Sequence, residues 1–460
     1  MLSTFGNIFR VPDLRKKVLW TLLTIAVFRV GAYIPLPGVN TAAITQVVDK
    51  FREGEGGGVA ARAINLIDLF TGGALGRCTV FALGIMPYIS ASIIFQLLAT
   101  VIKPLEELQR EGEAGRKRIN QYTRYATVVL CALQSFFMST WILSSPFDVE
   151  LVSESMKSGP WFPLATMVAV TAGSTFLMWL GETVTEHGIG NGISVLIMAG
   201  IIDRMPSAAR ELWTRVDWSQ PFTPDQGKMS VLTLIFFIVM YFGVVVGVVV
   251  ITQGQRRVTV QQAKRTRGHR VYGGQRHYMP LRVNQAGVIP IIFAQSLLQI
   301  PAMLFGSLAA KATFFGFLYG AFSVGSFTYT IVYVAMIFFF CYFWTAVVFN
   351  PIKMADEMKQ YGHFVPGIRP GRMTAQYLER VMTRITLAGS TFLAFIAILP
   401  QLIHKTTEVG ATTAYLYGGT GLLIVVGVAL EVVQKIESHL MMRHYEGFMK
   451  RGRIKSRSSW

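Results

Sequence analysis

Ten apolar stretches, most of them near the length that crosses a bilayer, leave this chain few ways to fold. A hydrocarbon core of about 30 Å takes some 20 mostly apolar residues as a helix. Such runs lie near residues 18–37, 78–102, 122–143, 161–181, 188–202, 229–252, 285–306, 327–351, 381–403 and 414–434, the fifth short and punctured by glycine. Lipid offers backbone groups no hydrogen-bond partner, so runs of this length must satisfy their own as helices. The expected fold class is an all-α integral membrane protein of ten transmembrane helices. Composition agrees: 52% of the 460 residues are hydrophobic and only 15% charged, too thin a charged shell for a soluble domain of this size.

Two of the runs echo each other. Gly84-Ile-Met-Pro87 leads to Ile93-Ile94-Phe95 and then Gln96, while Gly287-Val-Ile-Pro290 leads to Ile291-Ile292-Phe293 and then Gln295. These are the second and seventh runs, five apart. An odd number of spans per half requires two inverted pseudo-repeat halves. The division expected is an N-terminal half over 1–202, an external linker over 203–228, a C-terminal half over 229–434 and a basic tail over 435–460. Orientation follows from basic residues: with ten spans, the side holding both termini carries most of the 43 Lys and Arg, and that side is cytoplasmic. The basic start, Met1 to Lys17, precedes an apolar run without a small-residue cleavage site and reads as the approach to a retained first span.

Several residues invite sharper readings. Arg29 falls near the middle of the first run, where a charge costs roughly 2.5–3.5 kcal/mol, so a carboxylate or carbonyl partner between helices is expected. Residues 60–76 are helical in pattern but too short and polar to span, and they end at Gly72-Gly73. They lie on the membrane or, given their direct passage into the Gly84 run, fold back as a re-entrant piece. Gly188-Ile-Gly190-Asn-Gly192 follows no strand, which excludes a nucleotide fingerprint and leaves a tight turn with close backbone approach. Glu182, Glu186 and His187 sit at a span end and read as solvated or capping groups. Cys78, Cys131 and Cys341 lie in apolar runs as small hydrophobes. No metal, cofactor or catalytic constellation is legible: no Gly-Lys-Ser/Thr phosphate loop, no Ser-His-Asp order, no His-x-x-x-His pair.

Charge concentrates in two loops. Residues 253–284 hold eight Lys and Arg without any Asp or Glu, a projecting hairpin suited to a polyanion or an acidic protein face. In 352–380 the tip Val365-Pro-Gly-Ile-Arg369-Pro-Gly371 brackets one arginine between two Pro-Gly pairs, which holds Arg369 on a rigid turn. The tail from Lys450 to Arg457 is expected to be disordered or docked on anionic lipid.

Read together, IPLPGV at 34–39, ALGIMPYISASII at 82–94, GETVTEHGIGNGIS at 181–194, PLRVNQAGVIPIIFA at 280–294 and VPGIRPGRMT at 365–374 resemble the SecY family of protein-translocation channels in order and spacing. The resemblance runs essentially end to end. It implies a clamshell hinged between spans 5 and 6, acting as a protein-conducting channel and not an enzyme. It implies a pore ring of Ile85, Ile89, Ile197, Ile292 and Ile424, and a plug within 60–76 that includes Asn65, Leu66, Ile67, Leu69, Phe70, Gly72 and Gly73. A lateral gate toward lipid would involve Pro87, Ser90, Gln96, Asn191, Pro290 and Ser296, the two prolines bending their helices midway. Gln96 and Asn191 would bond across a helix seam, each bond contributing only about 0.6–2 kcal/mol. A motor and ribosome surface would comprise Arg256, Arg257, Lys264, Arg265, Arg267, Arg270, Arg369 and Arg372. The partners implied are the membrane subunits SecE and SecG, the SecA motor ATPase, the ribosome through its RNA, signal peptides and nascent chains. The membrane implied is the bacterial inner (cytoplasmic) one. Two other classes compete: a secondary transporter, which would need an ionisable coupling site at the midplane, and a pore-less insertion scaffold.

Overall fold

The structure, a computed structural model, describes residues 11–40, 43, 71–143, 152–153, 156, 159–218, 229–263, 265–267, 270–272, 274–308, 313–322, 325–406 and 411–451. Helix α1 spans Pro12–Gly31. Proline at its start costs no helical bond, Asp13 lies in its first turn and Arg29 in its last, so both charges complement the helix dipole. Arg29 therefore lies at the end of α1 and not in mid-helix. The apolar run outlasts the helix: after Gly31 the chain extends and pairs through a Pro35–Thr79 bridge, with Leu36 N–H donating to Cys78 O at 2.9 Å.

The second run also begins later than its hydropathy. Residues 71–85 are turns, and helix α2 covers Met86–Val101. Gly84 has φ 57° and Pro87 occupies the helix's first turn. The seventh run repeats this: Gly287 has φ 64°, and α8, Ile289–Leu308, opens one residue before Pro290. A left-handed glycine ends the incoming chain, and proline starts the helix where its missing N–H would have no partner anyway. Pro87 and Pro290 thus initiate their helices; they do not bend them midway as expected. Among the described residues, prolines past the first turn of a helix are Pro206, Pro301 and Pro400.

After α2 the chain bends by 103° into α3, Lys103–Arg110. There follow α4 (Glu113–Leu143), α5 (Trp161–His187) and α6 (Gly192–Arg215). Helix α6 runs 13 residues past the apolar stretch that ended at 202, because Ala208, Ala209, Arg210, Glu211 and Leu212 are good helix formers. Its last turns are held by an Arg215–Glu211 ion pair at 3.1 Å and by Thr413 Oγ1 donating to Glu211 Oε2 at 2.7 Å. The remaining helices are α7 (Val231–Gln253), α9 (Thr313–Ala321), α10 (Phe327–Val348), α11 (Pro351–Gln360), α12 (Arg372–Thr406), α13 (Ala411–Gly418) and α14 (Thr420–Arg451). Among the described residues, five helices are long and apolar enough to cross a membrane, or six if the bent α2–α3 pair counts as one span.

The chain is not purely helical. The basic loop forms β1 (Gln255–Gln262), β2 (Arg265–Arg267), β3 (Arg270–Tyr272) and β4 (Arg276–Arg282). Strands β1 and β4 pair antiparallel from Gln255–Arg282 to Gln261–Arg276, so the expected hairpin is present. The second loop contributes β5, His363–Phe364, which pairs with the end of β1 through Gln261–Phe364 and Gln262–His363. Strands can form here because these segments are polar and lie outside the apolar runs.

By contacts the chain divides into two compact units. One contains the chain up to Pro206 from Ile67 onward, the first helix, and α14 from Ile424; the other contains Ser207–Leu423. In the first unit, Leu36, Ala82, Leu83, Phe162 and Val170 form one core and Leu14, Ile189 and Ile436 another. The second cluster joins α14 to the amino-terminal helices. In the second unit, Val258, Leu281, Phe349, Val365 and Leu378 pack beneath the sheet.

The paired glycines generate a test. A Cβ at residue 287 would meet nothing within 4 Å, whereas one at residue 84 would lie 3.0 Å from Thr71 Cγ2. Gly287→Ala should therefore cost about 1–2 kcal/mol, the left-handed backbone penalty alone. Gly84→Ala should cost more, measured as the shift in unfolding midpoint of the purified chain in detergent.

Candidate functional site

The end of the expected plug is pinned to α6. Gly72 and Gly73 have φ 64° and 87°. A Cβ on Gly72 would stand 3.0 Å from Gly200 Cα, and one on Gly73 would collide with the Arg204 guanidinium. Glycine is required at both positions by backbone sign and by space. Asn65, Leu66, Ile67, Leu69 and Phe70 lie outside the described residues.

Around this joint the structure assembles charges that hydropathy scattered. Arg29 forms an ion pair with Asp203, and its Nη2 donates to Tyr33 Oη at 3.2 Å. The Arg77 guanidinium stands 4.3 Å from the Tyr33 ring centre and that of Arg29 5.4 Å, so one aromatic ring serves two cations. The expected carboxylate partner for Arg29 is present, and it comes from α6. Asp203 was hidden in the expected linker; the signal available was that a charge in the first run needs an acid at a span end. Tyr33, Arg77 and Arg204 carried no signal of their own.

A second pair joins α4 to α5. Arg124 binds Glu182 in bidentate fashion, Nε to Oε1 at 2.9 Å and Nη2 to Oε2 at 2.7 Å. Glu182 therefore has a specific partner in addition to solvent. The glycine-rich turn behaves as its composition implied. A Cβ at Gly192 would collide with the Gly181 carbonyl oxygen, and Gly190 has φ 95°. The turn is secured by Gly192 N–H donating to Thr185 Oγ1 at 2.9 Å and Ile189 N–H to Thr21 Oγ1 at 3.2 Å.

The gate amides are used locally. Asn191 Oδ1 accepts from Ile193 N–H at 3.2 Å, capping α6, and Gln96 Nε2 donates to Ser92 Oγ at 3.1 Å within α2. Neither of these bonds crosses a helix seam, contrary to expectation, because a nearby backbone or hydroxyl partner is reached with less ordering. Gln96 Oε1 and Gln295 Oε1, at the ends of the two echoed motifs, are buried with no hydrogen-bond partner. Ser90 and Ser296 are buried in α2 and α8. The five isoleucines, Ile85, Ile89, Ile197, Ile292 and Ile424, are all buried. Ile85 caps α2 and Ile89 lies one turn on; burial is what a constriction and an ordinary helix core share.

Within the second unit the basic loops meet through the β1–β5 pairing, and β2 and β3 form a separate two-stranded sheet. Arg256 and Arg257 lie on β1, Arg265 and Arg267 on β2, and Arg270 on β3, while Lys264 is outside the described residues. Beside β5, Gly367 and Gly371 take φ 83° and 95°. Ile368 N–H donates to Val365 O at 3.1 Å, and Thr374 Oγ1 donates to Arg369 O at 2.9 Å. Buried Val365 anchors the tip, and Arg369 and Arg372 are exposed on it.

Apolar helices, a glycine-jointed turn segment beneath them and a basic sheet platform define a multi-pass helical membrane protein. The SecY family model matches residues 79–433. Protein translocase subunit SecY of Thermotoga maritima is 42% identical over 457 residues, covering 99% of this chain and 100% of its own. The subunit of the same name from Thermus thermophilus is 40% identical over 459 residues, covering 100% of each chain. The chain belongs to the SecY family. Among solved structures, one described as a protein conducting channel matches with a TM-score of 0.57 at 16% identity, covering 92% of each chain. The channel of the canine ribosome–channel complex from the endoplasmic reticulum matches at 0.53 and 16%, again covering 92% of each.

The Arg29–Asp203 pair is about three-quarters shielded, with side chains 22% and 27% exposed. Asp203→Asn leaves a shielded guanidinium without its counter-charge and should cost about 1–3 kcal/mol. A double-mutant cycle with Arg29→Gln, read by chemical unfolding in detergent, should recover part of that loss.

Proposed function

We propose that this chain is the channel through which unfolded polypeptides cross a membrane and from which apolar segments pass sideways into lipid. The observation that carries the reading is end-to-end similarity, at 40% identity and above, to proteins named protein translocase subunit SecY. The proposal includes ten spans in two inverted halves, over 1–202 and 229–434, joined by an outer link within 203–228. The matching starts of α2 and α8, left-handed glycine then proline, support the repeat.

In this reading Ile85, Ile89, Ile197, Ile292 and Ile424 form the waist. Aliphatic side chains exclude water and ions by dewetting yet offer a passing chain no specific bond, so any sequence can slide. The segment from Asn65 to Gly73 closes the waist at rest, with Gly72 and Gly73 as its joint. Pro87, Ser90, Gln96, Asn191, Pro290 and Ser296 line the exit to lipid. The buried, unpartnered Gln96 Oε1 and Gln295 Oε1 suit a seam that opens, because their missing bonds are supplied by whatever enters.

No part of the mechanism supplies energy from the chain itself, so a partner must. The basic platform is the place for it: Arg256, Arg257, Lys264, Arg265, Arg267, Arg270, Arg369 and Arg372 would engage the SecA motor or ribosomal RNA phosphates. The ribosome-bound state of the canine relative's complex supports that assignment. SecE and SecG complete the membrane assembly, which sits in the bacterial cytoplasmic membrane with both termini and both basic loops cytoplasmic. A small-solute transporter is disfavoured. Its one candidate midplane charge, Arg29, lies in the last turn of α1 and is paired with Asp203.

The decisive experiment places a photoreactive residue at Ile89 or Ile197 in membranes and stalls a secretory chain in transit. Both positions should label that chain, and exposed Phe395 on α12 should not. Labelling from neither, with solute accumulating in the vesicles, would overturn the reading.

A further inference from the structure

One groove in the second unit is touched by the channel mechanism only through Arg256. It lies where the base of the hairpin meets α12, encloses about 450 Å³, and is lined by Arg256, Val283, Tyr377, Arg380, Val381, Arg384, Ile385 and Ala388. The size is that of a small-ligand site. Its α12 wall is a single stripe, since residues 377, 380, 381, 384, 385 and 388 recur every three or four positions. Its strand wall follows from period-two alternation. Arg256, exposed to solvent, shares a strand face with Val258 and Val260 and lines the groove, while Arg257 lies on the opposite face. Gly389 permits the closure, because a Cβ there would lie 2.7 Å from the Val283 carbonyl oxygen.

The groove combines two kinds of lining. Three guanidiniums, from Arg256, Arg380 and Arg384, stand along it with no carboxylate in its lining. Among the described residues none of the three is in an ion pair. Arginine recognises phosphate through paired N–H donors. Between and beyond the arginines the wall is Val283, Val381, Ile385 and Ala388, and the same helix continues apolar with exposed Leu387 and Phe395. Arg384 enters the apolar part of α12 itself, where a long stem lets its charge reach back toward the headgroup level.

We propose that this groove is a binding site for one anionic phospholipid. The phosphodiester sits among Arg256, Arg380 and Arg384, and an acyl chain lies along Val381, Ile385 and Ala388. A nucleic-acid phosphate would use the same arginines but gain nothing from the apolar wall, and free phosphate would use only half the site. The site goes beyond the channel reading and is independent of it, since it holds whether or not polypeptide passes through the chain.

The test uses the full-length chain in phosphatidylcholine nanodiscs with photoreactive phosphatidylglycerol as probe, read by peptide mapping. Cross-links should fall on the peptide holding Tyr377 to Ala388, and unlabelled phosphatidylglycerol should compete where added phosphatidylcholine does not. Arg380→Gln with Arg384→Gln should weaken labelling roughly 30-fold, the effect of removing two charges at an anionic surface. Arg257→Gln, on the outer face, should leave it unchanged. Ile385→Asn should also weaken it, separating a lipid site from a bare phosphate site. Equal labelling by phosphatidylcholine, an unaltered double variant, or displacement by inorganic phosphate or a short RNA would each overturn the proposal. If the double glutamine variant does not fold, Arg380→Lys with Arg384→Lys and the competition profile decide instead.

Discussion

Everything in this molecule follows from the fact that a backbone in hydrocarbon must satisfy itself. A helix in lipid can neither fray into water nor start where a buried N–H lacks a partner. The chain meets that constraint twice with one device. Gly84 and Gly287 turn the backbone into the left-handed region, and Pro87 and Pro290 follow within the first helical turn. Glycine breaks the incoming path without a side-chain clash, and proline has no donor to leave stranded. The turn segment of residues 71–85 can exist beneath α2 because the helix is prevented from extending backward through it.

Charges are then admitted where this arrangement leaves ends rather than middles. Arg29 reaches Asp203 and Tyr33 because α1 stops at Gly31, and Arg124 reaches Glu182 because α5 runs on to His187. Both contacts lie within one unit and tie helices far apart in sequence. The first also surrounds Gly72 and Gly73, so the joint is set in a fixed electrostatic frame. The loop platform of the other unit obeys a different solvent. Outside lipid, strands can leave edges to water, and β5 extends the hairpin from a loop about a hundred residues later.

Much of this was legible in the residues. Apolar runs announced the class, the G-x-x-P echo announced two matching segments, and eight basic residues without an acid announced the hairpin. The bracketing of Arg369 by Pro-Gly pairs was a turn in sequence and is one in structure. Other readings failed for identifiable reasons. Hydropathy cannot distinguish an apolar helix from an apolar turn, so the second span was expected to begin at 78, eight residues before α2. A proline inside an apolar run looks like a kink until the preceding glycine's backbone angle is known. Amides at a helix seam look available until Asn191 is seen capping α6 and Gln96 bonding Ser92.

The amino-acid sequence by itself determined the solvent of each segment, because apolar length and charge are properties of composition along the chain. It also determined where the backbone may take unusual angles, because only glycine enters the left-handed region without cost. Tertiary structure alone decided which charges neutralise one another, that β5 joins β1, and that three arginines converge on an apolar groove beside α12. Those are choices of partner. Partners are set by packing between segments tens to hundreds of residues apart, which local patterns of hydropathy and charge do not encode.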